Sequence, residues 1–96
     1  MSRSTFVVTY DISDSTRLRK VFSVMKNYGD HVQYSVFVCE LNDREKILLQ
    51  RDLRAVINHK EDQVLFFRIG SSSQSSEELI SSLGRDYQPV CRTVVV

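Results

Sequence analysis

The sequence predicts a small sandwich, α/β or α+β, in which two helices cover one face of a sheet. Two observations carry that reading. Segments that alternate at period two are interleaved with segments whose apolar residues recur at helical spacing. The chain is also only 96 residues long, the length of one domain with a thin core, so residues 1–96 are read as a single unit.

The elements follow in order. Thr5 to Asp11 is rich in β-branched and aromatic residues, with Phe6, Val8 and Tyr10 on one face and Val7, Thr9 and Asp11 on the other. Ser13, Asp14 and Ser15 are N-cap candidates for a helix whose apolar stripe is Leu18, Val21, Phe22 and Met25. Gly29 is placed as its terminator. His31 to Leu41 reads as one uninterrupted strand. Asn42 and Glu45 form a capping box opening a second helix with Leu49, Leu53, Val56 and Ile57 as its stripe, and Asn58-His59-Lys60 ends it. Gln63 to Ile69 is a further strand, apolar on both faces, punctuated by Gly70.

Beyond that the pattern weakens. Ser71 to Ser76 holds five serines in six positions, and residues 71–89 are expected to be loop-rich. Residues 90–96 read as a terminal strand, which needs a sheet edge in its own chain or in a partner.

Composition narrows the function classes. With 42% hydrophobic and 26% charged residues, the chain is neither disordered nor collagenous. No apolar run nears the roughly 18 residues of a membrane span, and Met1 to Ser4 opens no signal peptide, so a cytoplasmic protein with no membrane partner is expected. The net charge is only +1, yet residues 1–60 carry ten basic and seven acidic side chains. Bulk charge therefore announces no nucleic-acid partner, and any polyanion-binding surface belongs to the first two thirds. Cys39 and Cys91 sit in apolar, alternating contexts and read as buried thiols in a reducing compartment.

One carboxylate stands out chemically. Asp11 ends an otherwise apolar strand, just before a helix bearing Arg17, Arg19 and Lys20. A carboxylate at a strand end can hold a hard divalent cation, and the basic groups nearby can hold phosphate oxygens; alternatively it merely caps the turn. One Asp is too few for a complete metal site, but Mg²⁺ keeps several waters, and a two-fold dimer doubles the count. Arg19, Ser23 and Lys26 share the polar side of the first helix and read as a solvated face. There is no phosphate-binding glycine loop, zinc spacing or nucleophile elbow, so any catalysis is expected to be metal-assisted rather than covalent.

The blocks Val7-Val8-Thr9-Tyr10-Asp11-Ile12-Ser13-Asp14 and Arg17-Leu18-Arg19-Lys20-Val21-Phe22 resemble the opening of the small CRISPR-associated endonuclease family. Asn27-Tyr28-Gly29 with Val32-Gln33-Tyr34-Ser35-Val36-Phe37-Val38-Cys39 resembles its second block, and Leu65 to Gly70 and Ser82-Leu83-Gly84 its later ones. The resemblance implies an α+β, ferredoxin-like βαββαβ sandwich, including a hairpin strand that the residue pattern alone does not show. It also implies a homodimer whose C-terminal strand joins the partner's sheet.

The implied activity is a Mg²⁺- or Mn²⁺-dependent cleavage of single-stranded RNA or double-stranded DNA during spacer acquisition, beside the larger spacer integrase. By resemblance, Asp11 is catalytic and the metal ligand, with Tyr10 beside it. Arg17, Arg19, Lys20, His31, Ser35 and Phe37 are substrate contacts, His31 standing where the family often has an arginine or an aromatic. The same family implies an alternative role as a non-catalytic DNA-binding scaffold of the integrase complex. A related ferredoxin-like toxin ribonuclease is a third reading.

Overall fold

The structure, a computed structural model, describes residues 2–71 and 80–86. The terminal strand expected over 90–96, and most of the serine-rich segment, lie outside the described residues. The elements run β1 (Ser4–Asp11), α1 (Ser15–Lys26), β2 (Gly29–Gln33), β3 (Val36–Leu41), α2 (Asp43–Arg54) and β4 (Gln63–Ser71). Residues 80–86 are irregular. The sheet order is β2-β3-β1-β4 with every neighbouring pair antiparallel, the ferredoxin-like βαββαβ arrangement. No helix among the described residues is long and apolar enough to cross a membrane.

The sheet has one face under the helices. Phe6, Val8 and Tyr10 of β1 and Phe37, Cys39 and Leu41 of β3 are buried there against Val21 and Met25 of α1 and Leu49 and Leu53 of α2. The alternate residues take the helix-free face, where Val7 pairs with Val38 and Phe67, Thr9 with Val36 and Leu65, and Asp11 with Gln63. On that face Leu65 and Phe67 are 41% and 50% exposed. Near the other end of β1 the β4 register slips by one residue at Ile69, a bulge beside Gly70, whose φ of 139° suits glycine.

The helix starts are built as their sequences predict. Asp14 caps α1 by accepting from the Arg17 backbone N–H at 2.9 Å. Asn42 and Glu45 close a reciprocal capping box on α2, at 2.8 and 2.9 Å. Val56 and Ile57 lie beyond α2 but still pack against the core.

Three expectations are corrected. The segment from His31 to Leu41 is not one strand: a two-residue turn at Tyr34-Ser35 folds it into β2 and β3. Tyr34 takes the positive φ (45°) such a turn demands at its first central position, so no glycine or asparagine marks the turn in the sequence. Gly29 does not terminate α1, since Asn27 is the C-cap; Gly29 opens β2, where a Cβ would collide with the Cys39 Sγ and, at 2.6 Å, with the Val38 carbonyl. Leu18 is 37% exposed rather than part of the buried stripe.

Candidate functional site

Asp11 closes β1, exposed on the helix-free face, and its carboxylate has no ion pair or hydrogen bond with a described residue. That leaves it available to a cation. Among the described residues no three His, Cys, Asp or Glu side chains are grouped to hold a metal. One chain therefore supplies a single carboxylate at this end of the sheet, which suits an ion that keeps most of its water.

The loop after Asp11 is clamped to the start of β4 by a second carboxylate. The Asp62 side chain is fully buried and meets the Arg17 Nε at 2.7 Å through Oδ2 and the Arg17 Nη2 at 3.2 Å through Oδ1. It also accepts from the backbone N–H of Ser13 (3.2 Å) and of Asn58 (2.8 Å). The Arg17 hydrogen bonds, reinforced by those of Asn58 and Ser13, hold the Asp62 carboxyl far below the usual carboxylate range against the opposing effect of burial. Reciprocally, Asp62 pushes the Arg17 guanidinium further up. Glu61 adds an exposed contact to Arg17 at 3.1 Å. Sequence reading passed over Asp62, whose only signal is its place just ahead of the last apolar strand.

Arg17 is thus spent on the fold, with Nε and Nη2 both on this clamp. Tyr10 and Asp11 are neighbours in sequence but project to opposite faces. The Tyr10 ring is buried and stacks on Phe37 with centroids 6.2 Å apart. Burial pushes its phenol pKa up, only partly opposed by a hydrogen bond with the Ser35 side chain. Phe37 is wholly buried, so its contacts are with the core.

His31 also serves the turn. Its Nε2 lies 2.7 Å from the Tyr34 carbonyl; a carbonyl only accepts, so Nε2 carries the proton and donates. Its ring packs against Phe22 and Phe37, each 5.0 Å away between centroids. The Tyr10 backbone N–H donates to the Ser35 carbonyl at 3.1 Å, tying the turn to β1.

A cleft of about 590 Å³ opens between α1 and this turn. Arg19, Ser23 and Lys26 line it from α1 and Tyr34 and Ser35 from the turn, with Leu18 and Phe22 adding apolar surface. The structure brings together Tyr10, Arg19 and Ser35 of the expected contacts and adds Ser23, Lys26 and Tyr34, which sequence reading left as a solvated face and an ordinary strand residue. Lys20 stands exposed on α1, outside the cleft.

Residues 4–77 match the profile of the family described as CRISPR associated protein Cas2. The chain belongs to this family. It is 32% identical over 91 residues to the CRISPR-associated endoribonuclease Cas2 of Geobacter sulfurreducens, covering 95% of both chains. It is 35% identical over 91 residues to the CRISPR-associated endoribonuclease Cas2 1 of Rhodospirillum rubrum, covering 95% of this chain and 88% of the other. Among solved structures, Streptococcus pyogenes Cas2 superposes with a TM-score of 0.71 at 29% identity, covering 83% of this chain and 99% of that one. The ferredoxin-like sandwich is therefore the Cas2 fold, and Asp11 lies at the end of its first strand.

Proposed function

We propose that two copies of this chain form a Cas2 endonuclease acting in CRISPR spacer acquisition, with their Asp11 carboxylates converging on a shared divalent cation. The observation that carries the reading is the position of Asp11: exposed, and on the same helix-free face as the half-exposed Leu65 and Phe67. Apolar side chains of this size, exposed at alternate positions along one strand, favour burial against a second sheet. A two-fold axis through that face carries one Asp11 toward the other. The names of the relatives, endoribonucleases and endonucleases, support phosphodiester cleavage.

The division of labour follows from the placement of each side chain. Asp11 of each protomer holds Mg²⁺ or Mn²⁺, and the bound ion supplies Lewis-acid stabilisation of charge on the phosphoryl oxygens. Asp62 and Arg17 fix the loop that follows Asp11. Arg19, Lys20 and Lys26 attract the phosphate backbone without reading sequence. The polyanion is single-stranded RNA or duplex DNA, the setting is the cytoplasm, and the further protein partner is the larger spacer integrase.

A cleavage assay with Mg²⁺ and EDTA arms tests the reading. The wild type cuts with Mg²⁺ and stops with EDTA, and Asp11→Asn is inactive while retaining its fold and its oligomeric state. Undiminished cutting by Asp11→Asn removes the assignment.

A further inference from the structure

We infer that the cleft between α1 and the β2–β3 turn is a subsite for one unstacked nucleobase and its adjoining phosphate, the base lying on the Tyr34 ring and the phosphate between Arg19 and Lys26. The inference rests on the nucleic-acid reading above and narrows it to single strands and frayed ends at this position.

The first support is Tyr34 itself. The opening position of a two-residue hairpin turn asks for positive φ, which Gly, Asn and Asp supply at little cost. Tyr34 adopts φ 45° there, against the steric preference of a bulky side chain. Tyr34 is 84% exposed, so no burial offsets that preference. A stacking platform requires a solvent-facing aromatic, which Tyr34 supplies, and backbone strain of this kind gathers at binding sites.

The second support is the rigidity beneath the ring. His31 donates to the Tyr34 carbonyl at 2.7 Å while wedged against Phe22 and Phe37, and Tyr10 donates its backbone N–H to the Ser35 carbonyl at 3.1 Å. The turn is thereby held from three strands and one helix, so the backbone that carries the ring has little left to order on binding.

The third support is the lining. Arg19 and Lys26 face a cleft that includes no carboxylate among its described residues, and Ser23 and Ser35 offer hydroxyls. Lys26 holds its Nζ 5.6 Å above the Phe22 ring, keeping the cation at the cleft wall. At about 590 Å³ the space falls in the range of small-ligand sites and admits a nucleotide. A base within a duplex stays stacked on its neighbours, so this platform is reached by unpaired bases.

The test is fluorescence anisotropy of the full-length protein in EDTA with four labelled probes: oligouridylate, oligothymidylate, an abasic strand of equal length, and a blunt duplex. Tyr34→Ala is expected to weaken both single strands roughly ten-fold or more, as expected from the loss of one base–aromatic stack. Its affinities for the abasic strand and the blunt duplex should match the wild type. Tyr34→Trp should restore binding. Tyr34→Asn relieves the turn, so its Tm should equal or exceed the wild-type value while single-strand affinity is lost. Equal affinities for Tyr34→Ala and wild type on every probe overturn the subsite, as does an equal loss on the abasic strand. Those results leave the catalytic reading standing if Asp11→Asn is inactive. Conversely, normal cutting by Asp11→Asn removes the catalytic reading while the anisotropy series still decides the subsite.

Discussion

The Arg17 guanidinium meets the buried carboxylate of Asp62 at 2.7 Å, joining the first turn of α1 to the residue that precedes β4. Because Asp62 also holds the backbone of Ser13, the pair sets the path of the chain directly after Asp11. The basic residue that sequence reading assigns to substrate thus works one step away from it.

Asp62 should therefore make stability pH-dependent in one direction. Unfolded, it binds a proton near its ordinary value of 3.8; folded, it does so only at far lower pH. Its contribution is complete above the ordinary carboxylate range and drains away as pH falls through and below it. Tm measured against pH should fall on acidification in the wild type, more shallowly in Asp62→Asn, which should also have the lower Tm at neutral pH. Parallel profiles would separate Asp62 from the acid response.

Arg17 and Arg19 should part company in mutagenesis. Arg17→Gln removes the partner of a buried carboxylate and should lower Tm markedly. Arg19 is exposed on the cleft wall, so Arg19→Gln should stay within about 0.5 kcal/mol in stability. It should instead weaken nucleic-acid binding and reduce the slope of log affinity against log salt by about one. Binding and melting series on the two variants check this.

Gly29→Ala should destabilise by about 1–3 kcal/mol, because the added methyl meets backbone and not only a movable side chain. The obstacle is the Val38 carbonyl at 2.6 Å, with the buried Cys39 thiol beside it. The denaturation midpoint measures this; an unchanged midpoint contradicts the close approach of β2 to β3.

Phe67→Asp should leave the fold intact and prevent self-association, since Phe67 sits half exposed on the helix-free face. Sedimentation should show monomers, and cleavage should fall with dimer content. Dimers of undiminished stability would move the interface elsewhere.

Much of this was legible in the residues. The alternation in β1 separates Phe6, Val8 and Tyr10 from Val7, Thr9 and Asp11, because burial on one face imposes period two. Asn42 and Glu45 announce α2 because their side chains satisfy its first backbone donors. The β2–β3 turn was illegible because Tyr34 occupies a position that turn chemistry reserves for smaller residues. Asp62 was illegible for another reason: its donors come from positions 13, 17 and 58, and only the fold assembles them. Gly29 is conspicuous in sequence, but its cause is a neighbouring strand rather than a helix end.

The central claim is that two Asp11 side chains share one cation, and manganese binding followed by electron paramagnetic resonance tests it most directly. The account predicts a single tight Mn²⁺ for each pair of chains, lost in Asp11→Asn and weakened in the Phe67→Asp monomer. Tight Mn²⁺ binding that survives Asp11→Asn would contradict it.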